Sequence, residues 1–331
     1  MKKVIGKILG EPNSIPAEIL FKSWIKKKKF KHLPCIVIGN FKLLSRQLKY
    51  FKFNLKLKKI NSNFNFKDIR GTEIPILNVK YNQKKIFEKI SKKSNKFIFN
   101  CFDIGIRLIK NKKITGLING PVAKETLLNN KFNGMTEFIS NKVGCRGKEI
   151  MLIYSKDLSV SPITTHIPVK KISSVLNSKK ITQQVKEIVL FYKKYFNKKI
   201  RIAITGLNPH SYSSEANSEE QKIIKPAIKK LVKKKIYISG PYPADSLFSK
   251  KNQKKYDLVV GMYHDQVLTP IKTIKGLNAI NITLGLPFIR ISPDHGVAKD
   301  IVGKKIADPK SIIESIKFFN LVKWKFYLKK V

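Results

Sequence analysis

The sequence predicts an α/β protein built on a mainly parallel sheet. Short apolar runs alternate with amphipathic stretches along the whole chain. Several of these runs lack polar alternation, as strands covered on both faces do. No unit of about 20 to 50 residues repeats, which sets aside a solenoid. With 331 residues the chain exceeds what one compact core commonly holds, so one large α/β unit or two lobes is expected.

The elements follow in order. The opening MKKVIGKILGEPNSIP starts basic, but Lys7 interrupts the apolar stretch and no small-residue cleavage pattern follows. It reads as a first strand rather than a signal peptide. HLPCIVIGN (32–40), KITGLINGP (113–121), EIMLIYS (149–155), KIRIAITGLNP (199–209), YDLVVGMY (256–263) and LNAINITLG (277–285) read as further strands. SEEQKIIKPAIKKLVKK (218–234) reads as a helix. Ser218 and Gln221 suit a capping box, and Ile223, Ile224, Ala227, Ile228 and Leu231 keep helical spacing. Pro226 starts or kinks that helix. No uncharged apolar run reaches the roughly 18 residues of a membrane span.

The formal charge of +47 suggests anionic partners, yet the lysines are spread along the chain among many Asn, Ile and Phe. All four residue types have AT-rich codons, so compositional drift explains the mixture better than nucleic-acid binding does. The densest run, KSWIKKKKFKH (22–32), suits a solvated helix end, and His32 beside it reads as incidental. The field should still draw anionic substrates and weaken as salt rises. Cys35, Cys101 and Cys145 are odd in number and widely spaced, which argues against disulfides or a cysteine zinc site. A reducing cytoplasm is the expected compartment. No GxGxxG follows a strand, and there is no P-loop.

Three histidines stand in equivalent places. His166 in SPITTHIP, His210 in TGLNPHSYSS and His264 in GMYHDQ each lie at or just past the end of an expected strand. Ligands of open α/β sheets bind outside those carboxyl ends. Three imidazoles there could converge on one divalent metal and leave a position for substrate or water. A single histidine after a strand is more often a structural hydrogen-bonder, and spacing alone leaves the two readings about even. His295 in SPDHG is a fourth candidate. Asp265 and Asp245 could support a ligand or transfer protons. Lys272, Asn281 and Arg290 are candidates for holding an anion. The turn NGPVAK (119–124) could present backbone N–H groups to one.

Taken together, TTHIP, GLNPHSYSSEANSEE, GPYPADSLF, YDLVVGMYHDQVLTPIK and INITLGLPFIRISPDHGVAKDIVGK are similar, in order, to the sequence blocks of 4-hydroxythreonine-4-phosphate dehydrogenases. NGPVAKETL and GMTEF fit earlier blocks, and GEPNSIPAEI fits the N-terminal one loosely. The resemblance implies a two-lobed α/β/α fold with a mainly parallel mixed sheet, like isocitrate and isopropylmalate dehydrogenases, and an active site in the cleft. One lobe is expected over 1–125 plus about 270–331, and the second, with a dimer interface, over about 126–269. It further implies a cytoplasmic enzyme of pyridoxal phosphate synthesis. Such an enzyme oxidises 4-phosphooxy-threonine with NAD to a β-keto acid that loses carbon dioxide. His166, His210 and His264 would hold a divalent metal (zinc, magnesium or cobalt), shared between the subunits of a homodimer. Thr136, Lys272, Asn281 and Arg290 would contact substrate, Asp245 and Asp265 would serve proton transfer, and Asp294 and His295 would lie in the cofactor region. No membrane or nucleic-acid partner is expected.

Some positions depart from the family pattern. Met135 stands where relatives have a substrate-contacting histidine, and Pro16 where they have glycine. Val267 replaces a glycine, and Ile291 and Val297 replace hydroxyl residues. Two other readings stay open: a dehydrogenase for another phosphorylated four-carbon hydroxy acid, and a basic nucleic-acid-binding protein on a retired enzyme scaffold.

Overall fold

The computed structural model describes residues 3–29, 33–128, 132, 134–211 and 216–323; His32 lies outside them. In chain order the strands are β1 (Ile5–Ile8), β2 (Cys35–Gly39), β3 (Leu57–Ile60), β4 (Ile74–Asn78), β5 (Gly116–Asn119), β6 (Ile150–Tyr154), β7 (Ser159–Thr164), β8 (Ile202–Thr205), β9 (Ile238–Tyr242), β10 (Leu258–Tyr263), β11 (Ile280–Leu284) and β12 (Ile289–Pro293). The longer helices are α1 (Pro16–Ile25), α2 (Phe41–Phe51), α3 (Asn95–Lys110), α4 (Met135–Lys142), α5 (Ser178–Phe196), α6 (Lys225–Val232), α7 (His264–Lys275) and α8 (Lys310–Leu321). Among the described residues, no helix is long and apolar enough to cross a membrane.

Two compact units divide the chain at Gly147/Lys148 and at Gly285/Leu286, with Leu321, Val322 and Lys323 returning to the second unit. The divisions fall later than the 125 and 270 expected. Local packing gives the reason. Met135, Phe138 and Ile139 of α4 sit in the same apolar cluster as Phe97 and Phe102 of α3, so this segment stays with the first unit. β11 pairs along its whole length with β6, so it stays with the second.

In the first unit the strand order is β3-β4-β2-β1-β5-β12, and every pair is parallel. β1, β2 and β5 are buried along their whole lengths, as both-face coverage requires. Pro16 fills the first position of α1, where proline's fixed φ and missing N–H cost nothing. The substitution of Pro16 for glycine is thus accommodated as a helix start. The N-terminal turn and NGPVAK approach backbone to backbone: a Cβ on Gly10 (φ +90°) would lie 2.2 Å from the Pro121 carbonyl oxygen. Glycine is the residue that permits this.

In the second unit the order is β11-β6-β7-β10-β8-β9. Only β6 runs against its neighbours; β7, β10, β8 and β9 are parallel in sequence across the sheet. β7 lacks an apolar run because Ser159, Ser161 and Pro162 occupy it, yet all six of its residues are buried. Its hydroxyls are satisfied inside: Ser161 Oγ donates to the Met151 carbonyl at 2.6 Å, and Tyr192 Oη to Ser159 Oγ at 2.8 Å. The 218–234 segment is helical, as expected, with a π-helical turn over Glu220–Ile224 before α6. Pro226 lies in the first turn of α6.

Candidate active site

The second unit presents the histidines. β7, β10 and β8 are adjacent and parallel, so their carboxyl ends share one edge of the sheet. His166 follows β7, His264 opens α7 directly after β10, and His210 lies in the turn after β8. The His166 and His264 rings meet with centroids 5.8 Å apart, tilted by 41°. His264 Nδ1 lies 2.6 Å from Asp265 Oδ1. That contact places the Nδ1 proton toward the carboxylate and leaves the Nε2 lone pair for a ligand. His210 is exposed at φ +57°, in the left-handed region. Among the described residues no three His, Cys, Asp or Glu side chains are grouped to hold one metal, so His166, His210 and His264 do not form a three-ligand set within the chain.

Glu220 shapes the His210 turn. It is completely enclosed, yet its Oε1 accepts the Leu207 N–H at 2.8 Å and the Asn208 N–H at 2.9 Å. Its Oε2 accepts from Asn208 Nδ2 at 3.0 Å. Burial alone would raise the Glu220 pKa, but these donors outweigh it and hold the carboxyl below its usual value. The residue reads from sequence as part of a helix start; its distant role shows only in the fold.

Asp265 and Asp245 are both exposed, the latter in the short turn Ala244–Leu247. Lys272 is exposed two turns along α7 from His264, about 12 Å along the axis. Asn281, on β11, is half-buried, and its Oδ1 is enclosed without a hydrogen-bond partner among the described residues. An enclosed amide oxygen of this kind suits a donor on a bound molecule.

The first unit holds the remaining candidates. Arg290, on β12, is 2% exposed. Its Nε donates to Asn119 Oδ1 at 2.7 Å and its Nη1 to Thr136 Oγ1 at 3.2 Å. Burial brings the guanidinium down to about 10, while the charge of Glu137 raises it. Arg290 and Thr136 are thus brought together, with Asn119 as a partner the sequence reading missed. The available signal was an asparagine at the carboxyl end of β5, just before Gly120 and Pro121. Met135 is 5% exposed within the apolar cluster, so its side chain fills core. Ile291 is fully buried on β12. The Asp294 N–H donates to Ser311 Oγ at 2.8 Å, and His295 Nε2 pairs with the Asp308 carbonyl at 2.8 Å. That contact makes Nε2 the protonated nitrogen, and Nδ1, an acceptor, is enclosed without a partner among the described residues. Ser14 Oγ donates to the Val297 carbonyl at 2.6 Å, so the N-terminal turn braces this loop.

Known proteins decide the family. Residues 31–319 match the family model described as pyridoxal phosphate biosynthetic protein PdxA. The chain belongs to the PdxA family. It is 37% identical to the 4-hydroxythreonine-4-phosphate dehydrogenase of Sulfurihydrogenibium sp. (strain YO3AOP1), over 95% of this chain and 97% of that one. It is 32% identical to a putative D-threonate 4-phosphate dehydrogenase of Oceanobacillus iheyensis, over 95% and 96% of the two chains. The crystal structure of the 4-hydroxythreonine-4-phosphate dehydrogenase from Klebsiella pneumoniae superposes with a TM-score of 0.82 at 27% identity, covering 97% of this chain and 99% of the other. A terephthalate 1,2-cis-dihydrodiol dehydrogenase from Burkholderia xenovorans shares the fold, at a TM-score of 0.62 and 18% identity. This PdxA-family chain therefore has the α/β architecture of named dehydrogenases over nearly its whole length.

Proposed function

We propose that the protein oxidises 4-phosphooxy-L-threonine with NAD to a β-keto acid, which decarboxylates to 3-amino-2-oxopropyl phosphate in pyridoxal 5'-phosphate synthesis. The observation that carries this reading is the pairing of His166 with His264 at the carboxyl ends of adjacent strands, in a chain of this family. The donor set fits a divalent metal: both rings lie at a strand-end edge, and Asp265 orients one of them. His166 and His264 would hold it, with His210 as the third ligand in a homodimer whose subunits share the site. Zinc, cobalt and magnesium all remain compatible with this set. When bound, such an ion would supply a Lewis acid for the alcohol oxygen, and NAD would supply the hydride acceptor.

The chain's own side chains do the rest. Arg290, fixed by Asn119 and Thr136, grips an anionic end of the substrate from a site of low dielectric, where a charge-assisted hydrogen bond is strong. Lys272 adds a point charge, and Asn281 Oδ1 accepts from the substrate. These contacts lie away from the reacting carbon, so their binding energy orients it. Asp245 or Asp265 takes the hydroxyl proton as the carbon loses its hydride. The new ketone stands β to the carboxylate, so the C–C bonding pair passes into the carbonyl as carbon dioxide leaves. A proton then adds to the carbon that carried the carboxylate, and the enolate returns to the ketone. Asp294 and His295 would line the cofactor region, where His295 Nδ1 offers an enclosed acceptor for a ribose hydroxyl.

The Oceanobacillus iheyensis relative favours a second substrate, D-threonate 4-phosphate, which carries the same phosphate and secondary alcohol. One experiment tests both. The purified, metal-supplemented protein is given NAD and each substrate in turn, with and without a chelator, and NADH is followed. Chelator-sensitive turnover of the phosphorylated threonine is expected. Turnover of the threonate alone selects the second reading, and no turnover in folded, metal-loaded protein overturns both.

A further inference from the structure

We propose that Gln266 is a positioning residue that locks the turn carrying His210 to the helix start carrying His264. The proposal rests on the reading of those histidines as metal ligands, and its geometry stands independently of the metal. Gln266 Oε1 accepts the Met262 N–H at 2.7 Å and the Thr205 hydroxyl at 2.8 Å. Its Nε2 donates to the Gly206 carbonyl at 2.8 Å. The partners dictate which way the amide points, because an N–H only donates and a carbonyl only accepts. One side chain therefore ties the end of β10 to two consecutive residues at the end of β8.

A glutamine in the first turn of a helix commonly bonds back to its own helix start, and the Met262 contact does that. The contacts to Thr205 and Gly206 serve a different strand and have no capping use. On the other side, Thr164 Oγ1 at the end of β7 donates to the Met262 carbonyl at 2.8 Å, two residues before His166. Beyond Gly206, Glu220 fixes the N–H groups of Leu207 and Asn208. His210 then adopts φ +57°, in the left-handed region that is uncommon for a non-glycine residue. A continuous run of hydrogen bonds thus links all three histidine-bearing strand ends, and Gln266 is the part of it that joins β10 to β8.

The test uses the full chain and four variants. Gln266→Met keeps the length and removes all three bonds; Gln266→Glu sets oxygen against the Gly206 oxygen. Tyr192→Phe, which breaks a buried bond at the opposite end of β7, controls for general destabilisation. His264→Ala locates the metal. Amide hydrogen exchange is measured on metal-free protein. Binding of Co²⁺ alone is followed by its visible spectrum and by equilibrium dialysis, with Tm recorded for each variant. Both Gln266 variants are expected to speed exchange at 206–208 together with 262–264, and to weaken Co²⁺ by roughly 10- to 100-fold. Tyr192→Phe should lower Tm and leave both readouts alone. Faster exchange confined to 262–266, or wild-type Co²⁺ affinity at reduced Tm, overturns the proposal. If His264→Ala leaves Co²⁺ binding unchanged, the metal reading fails separately, and the exchange result still decides the role of Gln266.

Discussion

Arg290 is a charge held inside the first unit, and its cost of burial is offset by the partners that fix it and by the charge of Glu137. Asn119 and Thr136 both depend on the planar fork of a guanidinium. Arg290→Lys keeps the charge and cannot make both bonds, so substrate KM is expected to rise about 10- to 100-fold, the equivalent of about 1.5–3 kcal/mol for a hydrogen bond to a charged group. Steady-state kinetics on the phosphorylated substrate check this. His295 makes a pH prediction. Burial pushes its pKa below the usual 6.5, although the Asp308 carbonyl and the charges of Asp294 and Asp308 pull it up. The unfolded chain then binds a proton more readily than the folded one. The imidazole imposes no penalty well above pH 6.5 and destabilises progressively as pH falls from 6.5 toward the lowered folded value. His295→Gln should flatten that part of the Tm-against-pH curve. Met135 shows the same economics in apolar form: Met135→His places an imidazole in core, so any regained substrate contact comes with a lower Tm.

At the scale of elements, β10 and α7 meet too closely for a side chain on Gly261. A Cβ there would stand 2.4 Å from Val267 Cγ1 and 3.2 Å from Gln266 Oε1. Gly261→Ala is expected to cost about 1–3 kcal/mol by overpacking. Val267→Gly removes the clash but also a buried side chain, so Gly261→Ala should cost less in the Val267→Gly background than in the native chain. An equal cost in both backgrounds would refute this account of the contact. Val267 is thus a core residue, fully buried against β10.

For the whole molecule the dominant quantity is charge, +47 over 331 residues. Exposed like charges repel across a Debye length of about 30 Å at 0.01 M salt and about 8 Å at 0.15 M. Two opposed responses to salt follow. Tm should rise with sodium chloride as self-repulsion is screened, and KM for an anionic substrate should rise as attraction is screened. Arg290 is one charge among this excess, so Arg290→Gln, which removes it, should raise KM yet leave most of the slope of KM against salt. A slope that disappears in this variant would place the salt effect at that one side chain instead of in the general field.

Much of this was determined by local pattern. Apolar runs without alternation mark β2, β6, β8 and β10, because a strand buried on both faces has no polar side to show. The three histidines were legible by their place in the chain: His264 directly follows β10, while His166 and His210 lie in the turns just past β7 and β8. Tertiary structure decided the rest. β7 carries serines and a proline, and its burial depends on hydroxyl partners from β6 and α5. Strand order, which brings β7, β10 and β8 side by side, is set by long-range pairing. The partners that aim the site, Asn119 for Arg290 and Glu220 and Gln266 for the His210 turn, are polar side chains satisfied by groups distant in sequence. No periodicity encodes such a bond, because a buried polar group finds its partner only after the strands have paired.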